Sequence, residues 1–488
     1  MMKNIFLYIL FFVCASVVAQ ADGFTSELYG TYGKYKESSL TKRRIKHADI
    51  QPLIKRLETV PLFRVRKVGE SIEGRNLSLI SCGSGPIQVF LWSQMHGDEP
   101  TATQAIFDIF NFLVSEGYSG QKAQMLRQMT LHFLPMLNPD GAQVFQRRNA
   151  LGIDINRDAL RLQSPEGRVL KRIRDSLNAD FGFNLHDQSR YYNAERTPKQ
   201  ATISYLATAY NYDRDINEVR ANAMKVIVYM NRIIQKYAPG QVGRYNDDFE
   251  PRAFGDNIAK WGTSLILIES GGYADDREKQ EIRKLNYVSI LSALNAIATG
   301  NYSDIPLSEY EQIPKNDRKL FDVKIHGATY GLRGKEYVLD LGIQHFEVDY
   351  ENHDDFWFSS RIMDQGDLST YFGYETLDVS GHVIVPGKIY PKVVASMDDL
   401  KNMDFREVLR DGYAYVRIAN LPKNLVASPY PVHLLSKGHE LPEFALRPGI
   451  NPTFILEREG QPRYAVINGF PLDLERELPQ IKNAMIYR

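Results

Sequence analysis

The strongest constraint on the fold is an alternation of short apolar runs with segments whose apolar residues repeat at helical spacing, from about residue 25 to residue 300. Such an alternation is typical of α/β domains, in which helices cover a largely parallel sheet. The apolar runs predict four strands, at residues 89–92, 131–137, 181–185 and 264–268. The periodic segments predict helices at residues 168–177 and 218–237, and a further helix that begins at Pro100.

The pattern of apolar and polar residues changes near residue 300. Residues 299–306 and 313–317 are polar and rich in turn-forming residues, and short β-like runs separated by glycine and proline follow them. We therefore predict a first domain at residues 22–305 and a mostly β accessory domain at residues 320–488.

The first 21 residues have the features of an export signal. Lys3 supplies a positive charge, residues 5–18 form an apolar run, and Ala19-Gln20-Ala21 fits the small-x-small pattern of a cleavage site. The run is shorter than the roughly 20 apolar residues of a membrane span, which favours cleavage over a retained anchor. The sequence thus predicts an exported protein, periplasmic or secreted, with no transmembrane segment in the mature chain.

Charge and cysteine content narrow the possible partners. The 59 Lys and Arg residues balance 59 Asp and Glu residues, so the chain lacks the basic excess typical of nucleic-acid-binding proteins, and no nucleic-acid partner is expected. Removal of the signal leaves Cys82 alone, which excludes an internal disulfide and a cysteine-rich metal site. Because Cys82 follows an apolar stretch, we expect a buried structural thiol rather than a nucleophile.

Polar residues that bind metals or transfer protons follow three of the predicted strands. His96 and Glu99 follow the first, His186 the third and Glu269 the fourth. Ligands bind at the carboxyl ends of strands in open α/β sheets, so we expect these side chains to converge. Two imidazoles and one carboxylate make a catalytic zinc site with a fourth position for water. Glu269 would be the base, with a pKa raised by partial burial.

Each of these residues alone has a simpler explanation. One His-x-x-Glu in a chain with ten histidines is roughly an even chance. An isolated His186 would be a hydrogen-bonded structural histidine, and Glu269 alone a surface carboxylate. Histidines without ligand spacing are assigned no function, namely His132, His326, His345, His353, His382, His433 and His439.

Five motifs in order resemble those of the carboxypeptidase A-like zinc metallocarboxypeptidases. They are HGDEP (96–100), NPDG (138–141), RRNALGIDINRD (147–158), NLHD (184–187) and LILIES (265–270). The resemblance covers about residues 45–300. It implies a mixed, mainly parallel sheet of about eight strands flanked by helices, which agrees with the segments read above, and makes the first domain the catalytic one.

The resemblance also implies roles for individual residues. It implies that His96, Glu99 and His186 bind one Zn²⁺ per chain and that Asp154 orients a zinc histidine. Glu269 would be the general base, and Arg147 the arginine that stabilises the oxyanion. Asn156 and Arg157 would bind the substrate's C-terminal carboxylate, and Arg75 would be a further substrate-binding arginine. The adjacent Arg148 is an alternative to Arg147, and Arg75 could instead be a surface turn residue. Tyr245 is nearest to the family's mobile tyrosine without aligning convincingly, which leaves the specificity pocket open.

These residues predict hydrolysis of the C-terminal peptide bond of peptides. The same zinc chemistry would also serve a murein peptide amidase or peptidase acting on muropeptides, or an N-acyl amino acid deacylase. A non-catalytic binding protein on the same fold is a third hypothesis, and the β region could direct the enzyme to a glycan or a partner.

Overall fold

The computed structural model describes residues 23–441 and 444–488, so the predicted signal at residues 1–21 lies outside the described residues and stays a prediction. The chain divides into two compact units, one extending to Arg318 and one spanning Lys319–Arg488. None of the helices within the described ranges is long and apolar enough to cross a membrane.

The first unit is built on a mixed eight-stranded sheet with the strand order β1-β2-β4-β3-β5-β9-β7-β8. The strands of this unit are β1 Arg64–Glu70, β2 Asn76–Gly83, β3 Ile87–Ser93, β4 Met129–Leu134, β5 Phe181–Asp187, β6 Asn193–Ala194, β7 Ile203–Ala207, β8 Val242–Arg244, β9 Ser264–Ser270 and β10 Asn316–Asp317. The central strands β4, β3, β5 and β9 are mutually parallel and almost entirely buried, as expected for strands covered on both faces. The predicted α/β fold class is therefore confirmed.

Helices cover both faces of this sheet. They are α1 His47–Glu58, α2 Thr101–Val114, α3 Ser119–Gln128, α4 Pro139–Gln143, α5 Pro165–Leu177, α6 Glu218–Ile234, α7 Phe254–Lys260, α8 Gln280–Thr299 and α9 Ser308–Glu311, with single 3₁₀ turns at Tyr32–Lys34 and Ile155–Arg157 and helical residues at 23–31. Along β3, Val89 and Leu91 pack into one apolar core and the alternate residues Phe90 and Trp92 into the other. This two-residue alternation is what allows one strand to contribute to both layers.

Several predicted element boundaries shift by a few residues. Pro100 precedes helix α2 as its cap instead of beginning it. The predicted strand at 131–137 ends at Leu134, and the helix predicted to reach residue 237 ends at Ile234. Cys82 is buried as predicted, and burial raises the pKa of its thiol to about 12.

The chain beyond residue 305 still contributes structure to the first unit. Strand β10 pairs antiparallel with β6, and the backbone N–H of Arg244 donates to the carbonyl of Pro314 at 2.7 Å. The unit therefore extends past the predicted boundary, to Arg318.

The second unit is mostly β, as the pattern of short runs indicates. Its strands are β11 Leu320–Leu332, β12 Lys335–Asp349, β13 Phe356–Gly366, β14 Phe372–Asp378, β15 Val383–Pro386, β16 Lys388–Ile389, β17 Tyr413–Ile418, β18 Ala427–Ser428, β19 His433–Ser436, β20 Phe454–Arg458, β21 Gln461–Ile467, β22 Phe470–Asp473 and β23 Ala484–Tyr487. They form an eight-stranded and a five-stranded sheet, accompanied by the short helices α10 Met397–Leu400 and α11 Phe405–Arg410.

Candidate metal centre and active site

Two histidines and one glutamate from distant parts of the first unit meet at the end of strands β3 and β5. His96 Nδ1 lies 2.8 Å from Glu99 Oε1, and His186 Nδ1 lies 2.7 Å from Glu99 Oε2. The two Nδ1 atoms are 3.2 Å apart, and all three side chains are buried. Imidazole nitrogen and carboxylate oxygen are ligands that zinc accepts, so the donor set fits a zinc ion. The geometry brings together the three residues that the sequence places at separate strand ends.

The strands carry two of the site residues further than predicted. His186 and Glu269 were expected just beyond their strands, but each is the penultimate residue of its strand, in β5 and β9. This expectation was wrong because the ladder between the two strands continues to the pair Asp187 and Ser270. The polar side chains are thus held by sheet hydrogen bonds rather than by loops.

His96 is held from its other side by Asp154. The Nε2 atom of His96 lies 3.2 Å from Asp154 Oδ1, so Nδ1 is the ring nitrogen that faces Glu99 and His186. Arg147 completes the group, since its Nε donates to Asp154 Oδ2 at 3.0 Å and its Nη1 to His96 Nδ1 at 3.0 Å. A carboxylate that fixes the tautomer and orientation of a metal-binding histidine is the usual support of such sites.

The charges of the cluster stabilise one another. Burial alone would raise the pKa of Glu99, but His96 and His186 hold it well below its usual range. Burial would lower the pKa of His96, but Glu99 and Asp154 raise it to about 9. Glu99, held ionised by the two imidazoles, is the anionic member of the candidate ligand set.

Glu269 is a fourth buried group beside this cluster. Its Oε2 atom has no hydrogen-bond partner among the described residues. Burial raises the pKa of Glu269 well above its usual value, and the carboxylates of Glu99 and Asp187 raise it further. Such a carboxyl group has a raised proton affinity, which suits a general base. The unpartnered oxygen also shows that the site contains a polar group that the protein itself does not satisfy.

Arg147, Asn156 and Arg157 line one cleft with the cluster and Glu269. Asn156 Oδ1 accepts the backbone N–H of Phe254 at 3.0 Å, which leaves its amide group free to donate. Arg157 Nε lies 3.4 Å from Glu250 Oε2. Two donors suited to a carboxylate therefore share the cleft with the metal-binding residues.

Arg75 and Arg148 lie outside the lining of this cleft. The Nη1 atom of Arg75 pairs with Asp140 Oδ1 at 2.6 Å and also contacts Glu73. Arg148 Nη1 donates to the carbonyl of Gly152 at 2.9 Å. The structure thus brings Arg147 to the cluster and leaves Arg75 paired with Glu73 and Asp140.

Sequence reasoning missed several cleft residues. Asn184 and Gln188 line the cleft because they alternate with His186 along the chain, a signal that the two-residue period of a strand could have supplied. Tyr245 also lines the cleft, beside Tyr192 in an edge-to-face pair with ring centroids 6.0 Å apart, and burial raises its pKa. A group of acidic side chains completes the lining, comprising Asp247, Asp248, Glu250 and Asp256.

Asp187, which had no predicted role, supports the ends of the strands. Its Oδ2 accepts from Thr101 Oγ1 at 2.6 Å and from Lys279 Nζ at 3.0 Å. Its backbone N–H donates to Glu99 Oε2 at 3.2 Å. These contacts join β5 to the ends of two helices and fix the carboxylate of Glu99.

Comparison with known proteins finds a family to which part of this chain is similar. Residues 53–166 match the family model described as zinc carboxypeptidase. The resemblance to the zinc carboxypeptidases is confirmed. The matched stretch includes His96, Glu99 and Arg147, whereas His186 and Glu269 follow it in the chain.

The curated relatives of this zinc carboxypeptidase region are matched over only part of their length. Carboxypeptidase SOL1 of Arabidopsis thaliana is 28% identical over 181 residues, which is 31% of this chain and 36% of that protein. The carboxypeptidase N catalytic chain of Homo sapiens is 28% identical over 118 residues, which is 20% of this chain and 26% of that one. The chain thus spans about a third, or less, of the length of these relatives.

Solved structures of two carboxypeptidases align with about half of this chain. The metallo-carboxypeptidase of Burkholderia cenocepacia aligns with 52% of this chain and 69% of its own, at 16% identity and a TM-score of 0.43. Carboxypeptidase A of Helicoverpa armigera aligns with 58% of this chain and 81% of its own, at 14% identity and a TM-score of 0.40.

Proposed function

We propose that this chain is a zinc-dependent metallocarboxypeptidase that hydrolyses the C-terminal peptide bond of peptides. The observation that carries this proposal is the convergence of His96, Glu99 and His186 beside the buried, unpartnered Glu269. Metal-assisted hydrolysis requires residues that bind the metal and a carboxylate that can act as the base, and these four residues provide both. The family match supports the same class of reaction.

The metal would be held by the Nδ1 atoms of His96 and His186 and by the carboxylate of Glu99. Bound there, zinc would polarise a carbonyl oxygen and lower the pKa of a water molecule. Asp154 contacts His96 through Nε2, so Nδ1 is the ring nitrogen that faces the other two ligands. The protein thereby presents the three ligand atoms already within 4.8 Å of one another.

Glu269 and Arg147 would carry the proton and the developing charge. Glu269 Oε2 accepts the proton of the water that attacks the scissile carbonyl, and its raised pKa improves it as a base near neutral pH. Arg147, whose guanidinium is half-exposed at the cleft, donates to the oxygen on which negative charge develops. Its bond to Asp154 holds the guanidinium in place before substrate arrives.

Asn156 and Arg157 would restrict the reaction to the end of a peptide. The free amide group of Asn156 and the guanidinium of Arg157 can both donate to a terminal carboxylate. Arg157 now contacts Glu250, which is itself exposed in part and also paired with Arg252. A substrate carboxylate would replace Glu250 as the partner of Arg157.

The test combines metal analysis with a peptide panel. Purified protein should contain one zinc per chain and release C-terminal residues from peptides with a free carboxylate, while the same peptides with a C-terminal amide remain intact. Glu269→Gln should retain zinc and lose at least about 100-fold in kcat, the scale of a general base. Absence of zinc, or full activity of Glu269→Gln, would contradict the mechanism and favour a binding protein on this fold.

The same panel addresses the substrate class. Muropeptides and N-acyl amino acids should be included, because their hydrolysis needs the same base and the same metal ligands. Cleavage of muropeptides alone, or of N-acyl amino acids alone, would overturn the general carboxypeptidase assignment while leaving the zinc chemistry intact.

A further inference from the structure

A second cavity of about 430 Å³ adjoins the active-site cleft. The two cavities share four lining residues, Tyr192, Tyr245, Asn246 and Asp247. The tyrosine pair is therefore part of the lining of both the active-site cleft and this second cavity. A substrate that occupies the cleft can reach this cavity by passing along the shared residues.

The second cavity is lined by more positive than negative charge. Arg214, Arg244 and Lys315 contribute three cations, against the single carboxylate of Asp247. That carboxylate lies 3.0 Å from Arg220, a buried arginine outside the lining, and 3.4 Å from Arg214, which also pairs with Asp248, so Arg244 and Lys315 are the lining cations not paired with Asp247. A cavity with this balance favours an anionic group.

Two of the cations have unused capacity to bind. Arg244 is nine-tenths buried, and its Nε atom has no hydrogen-bond partner within the described part of the chain, although its Nη1 donates to the exposed Glu311 at 2.5 Å. The exposed ammonium of Lys315 makes no ion pair with a described residue. A buried donor without a partner indicates that a further acceptor belongs in the cavity.

Lys315 is held in this position by the segment that follows helices α8 and α9. Its carbonyl accepts the N–H of Glu195 at 2.9 Å, and the next residue, Asn316, donates from Nδ2 to Gln188 Oε1 at 2.7 Å. Gly243 is required here because a Cβ would lie 2.0 Å from Asn316 Oδ1. The segment is thus packed into the wall of the catalytic unit and is not a free linker.

We propose that this second cavity is a subsite for a carboxylate carried by an acidic side chain of the peptide substrate. The proposal rests on the proposed carboxypeptidase function, since it assigns a substrate preference to the same cleft. Lys315 and Arg244 would bind the carboxylate, and the Tyr192–Tyr245 pair would separate it from the reacting bond. The preferred peptide therefore carries an aspartate or glutamate in addition to its terminal carboxylate.

The experiment uses the zinc-loaded full chain and matched peptide pairs. Each pair has glutamate or the isosteric glutamine at one of four positions, with the rest of the sequence held constant. We expect one position at which kcat/KM for glutamate exceeds that for glutamine by at least about fivefold, the effect of one partly exposed ion pair. Lys315→Ala should bring this ratio within about twofold of unity, and Lys315→Glu should invert it.

Arg196→Ala is the matched control. Arg196 is an exposed cation one residue from Glu195, which pairs with Lys315 through its backbone, yet it is not part of the cavity lining. The glutamate preference should persist in this variant. Equal ratios for glutamate and glutamine at all positions, or the same loss in Arg196→Ala as in Lys315→Ala, would overturn the proposal.

A binding measurement separates this proposal from the proposed function. Calorimetric titration of the glutamate and glutamine peptides into Glu269→Gln should show the same preference as a ratio of Kd values. Hydrolysis of no peptide would contradict the carboxypeptidase function, whereas hydrolysis or binding without a glutamate preference contradicts only the second subsite.

Discussion

His186 and Glu269 are register partners on the adjacent parallel strands β5 and β9. Paired residues on neighbouring strands point to the same face of a sheet, about 5 Å apart. The sheet ladder therefore places a metal-binding imidazole and a candidate base side by side without depending on a loop. Glu99, which contacts His186 Nδ1, is one of the charges that raise the pKa of Glu269. The ladder thus sets the position of the base, while burial and the charge of Glu99 raise its pKa.

Arg147→Ala should lower kcat/KM by roughly 100-fold or more, because it removes a donor aimed at the developing oxyanion. Arg148→Ala is the matched control, since Arg148 is exposed and its Nη1 donates to the carbonyl of Gly152. Steady-state kinetics on one peptide would compare the two variants. A larger loss in Arg148→Ala than in Arg147→Ala would reverse the assignment.

Asp154→Ala should weaken zinc binding about 10- to 100-fold, because His96 loses the acceptor that fixes its tautomer. Competition with a chromogenic chelator measures the affinity directly. Asp175→Ala, which removes an exposed carboxylate on α5, serves as the control and should bind zinc as the wild type does. Unaltered affinity in Asp154→Ala would show that Asp154 does not support the metal site.

Asp108→Asn should destabilise the first unit by about 3–5 kcal/mol. Asp108 and Arg283 form a fully buried ion pair with Oδ1 to Nη2 at 2.5 Å, and Tyr32 also donates to this carboxylate at 2.9 Å. Removing one charge leaves the guanidinium buried without compensation. Denaturant unfolding should show the loss.

Asp175→Asn is the comparison for this prediction. It breaks the exposed pair with Lys171 and should change the free energy of unfolding by less than about 0.5 kcal/mol. Similar values for the two variants would contradict the view that burial makes the Asp108–Arg283 pair indispensable.

His433 should make the second unit less stable as the pH falls. Its Nδ1 accepts the N–H of Met485 at 2.7 Å, and burial lowers its pKa to about 3. In the unfolded chain the imidazole takes up a proton near pH 6.5, so the stability present above that pH is lost progressively down to about pH 3. Between pH 7 and pH 5 the loss amounts to about 2 kcal/mol.

The free energy of unfolding of the full chain, measured at pH 7 and at pH 5, gives this loss. His433→Gln should reduce the difference between the two free energies. A titration of the His433 ring by NMR provides an independent reading. Protonation of the His433 imidazole near pH 6.5 in the folded protein would refute the prediction.

The sequence already contains the strand-helix alternation and the chemistry of the triad. The apolar runs containing Val89, Phe183 and Ile266 are long enough only for strands, and polar residues follow them at once. The predicted sheet and the convergence of His96 with His186 could be derived because parallel strands end at one edge. The exact ends of the strands that carry His186 and Glu269 could not be derived, since the length of a sheet ladder depends on the partner strand.

The sequence by itself predicted the α/β class, the types of metal ligand and the resemblance to the zinc carboxypeptidases, because apolar periodicity and motif spacing are local properties of the chain. Only the tertiary structure decided that Arg147 and not Arg148 reaches the cluster, that Arg75 lies apart from the cleft, and that Lys315 lines a second cavity beside it. The physical reason is that these contacts join segments far apart in the chain. Their meeting depends on the paths of loops and on the strand order of the sheet, which no local pattern encodes.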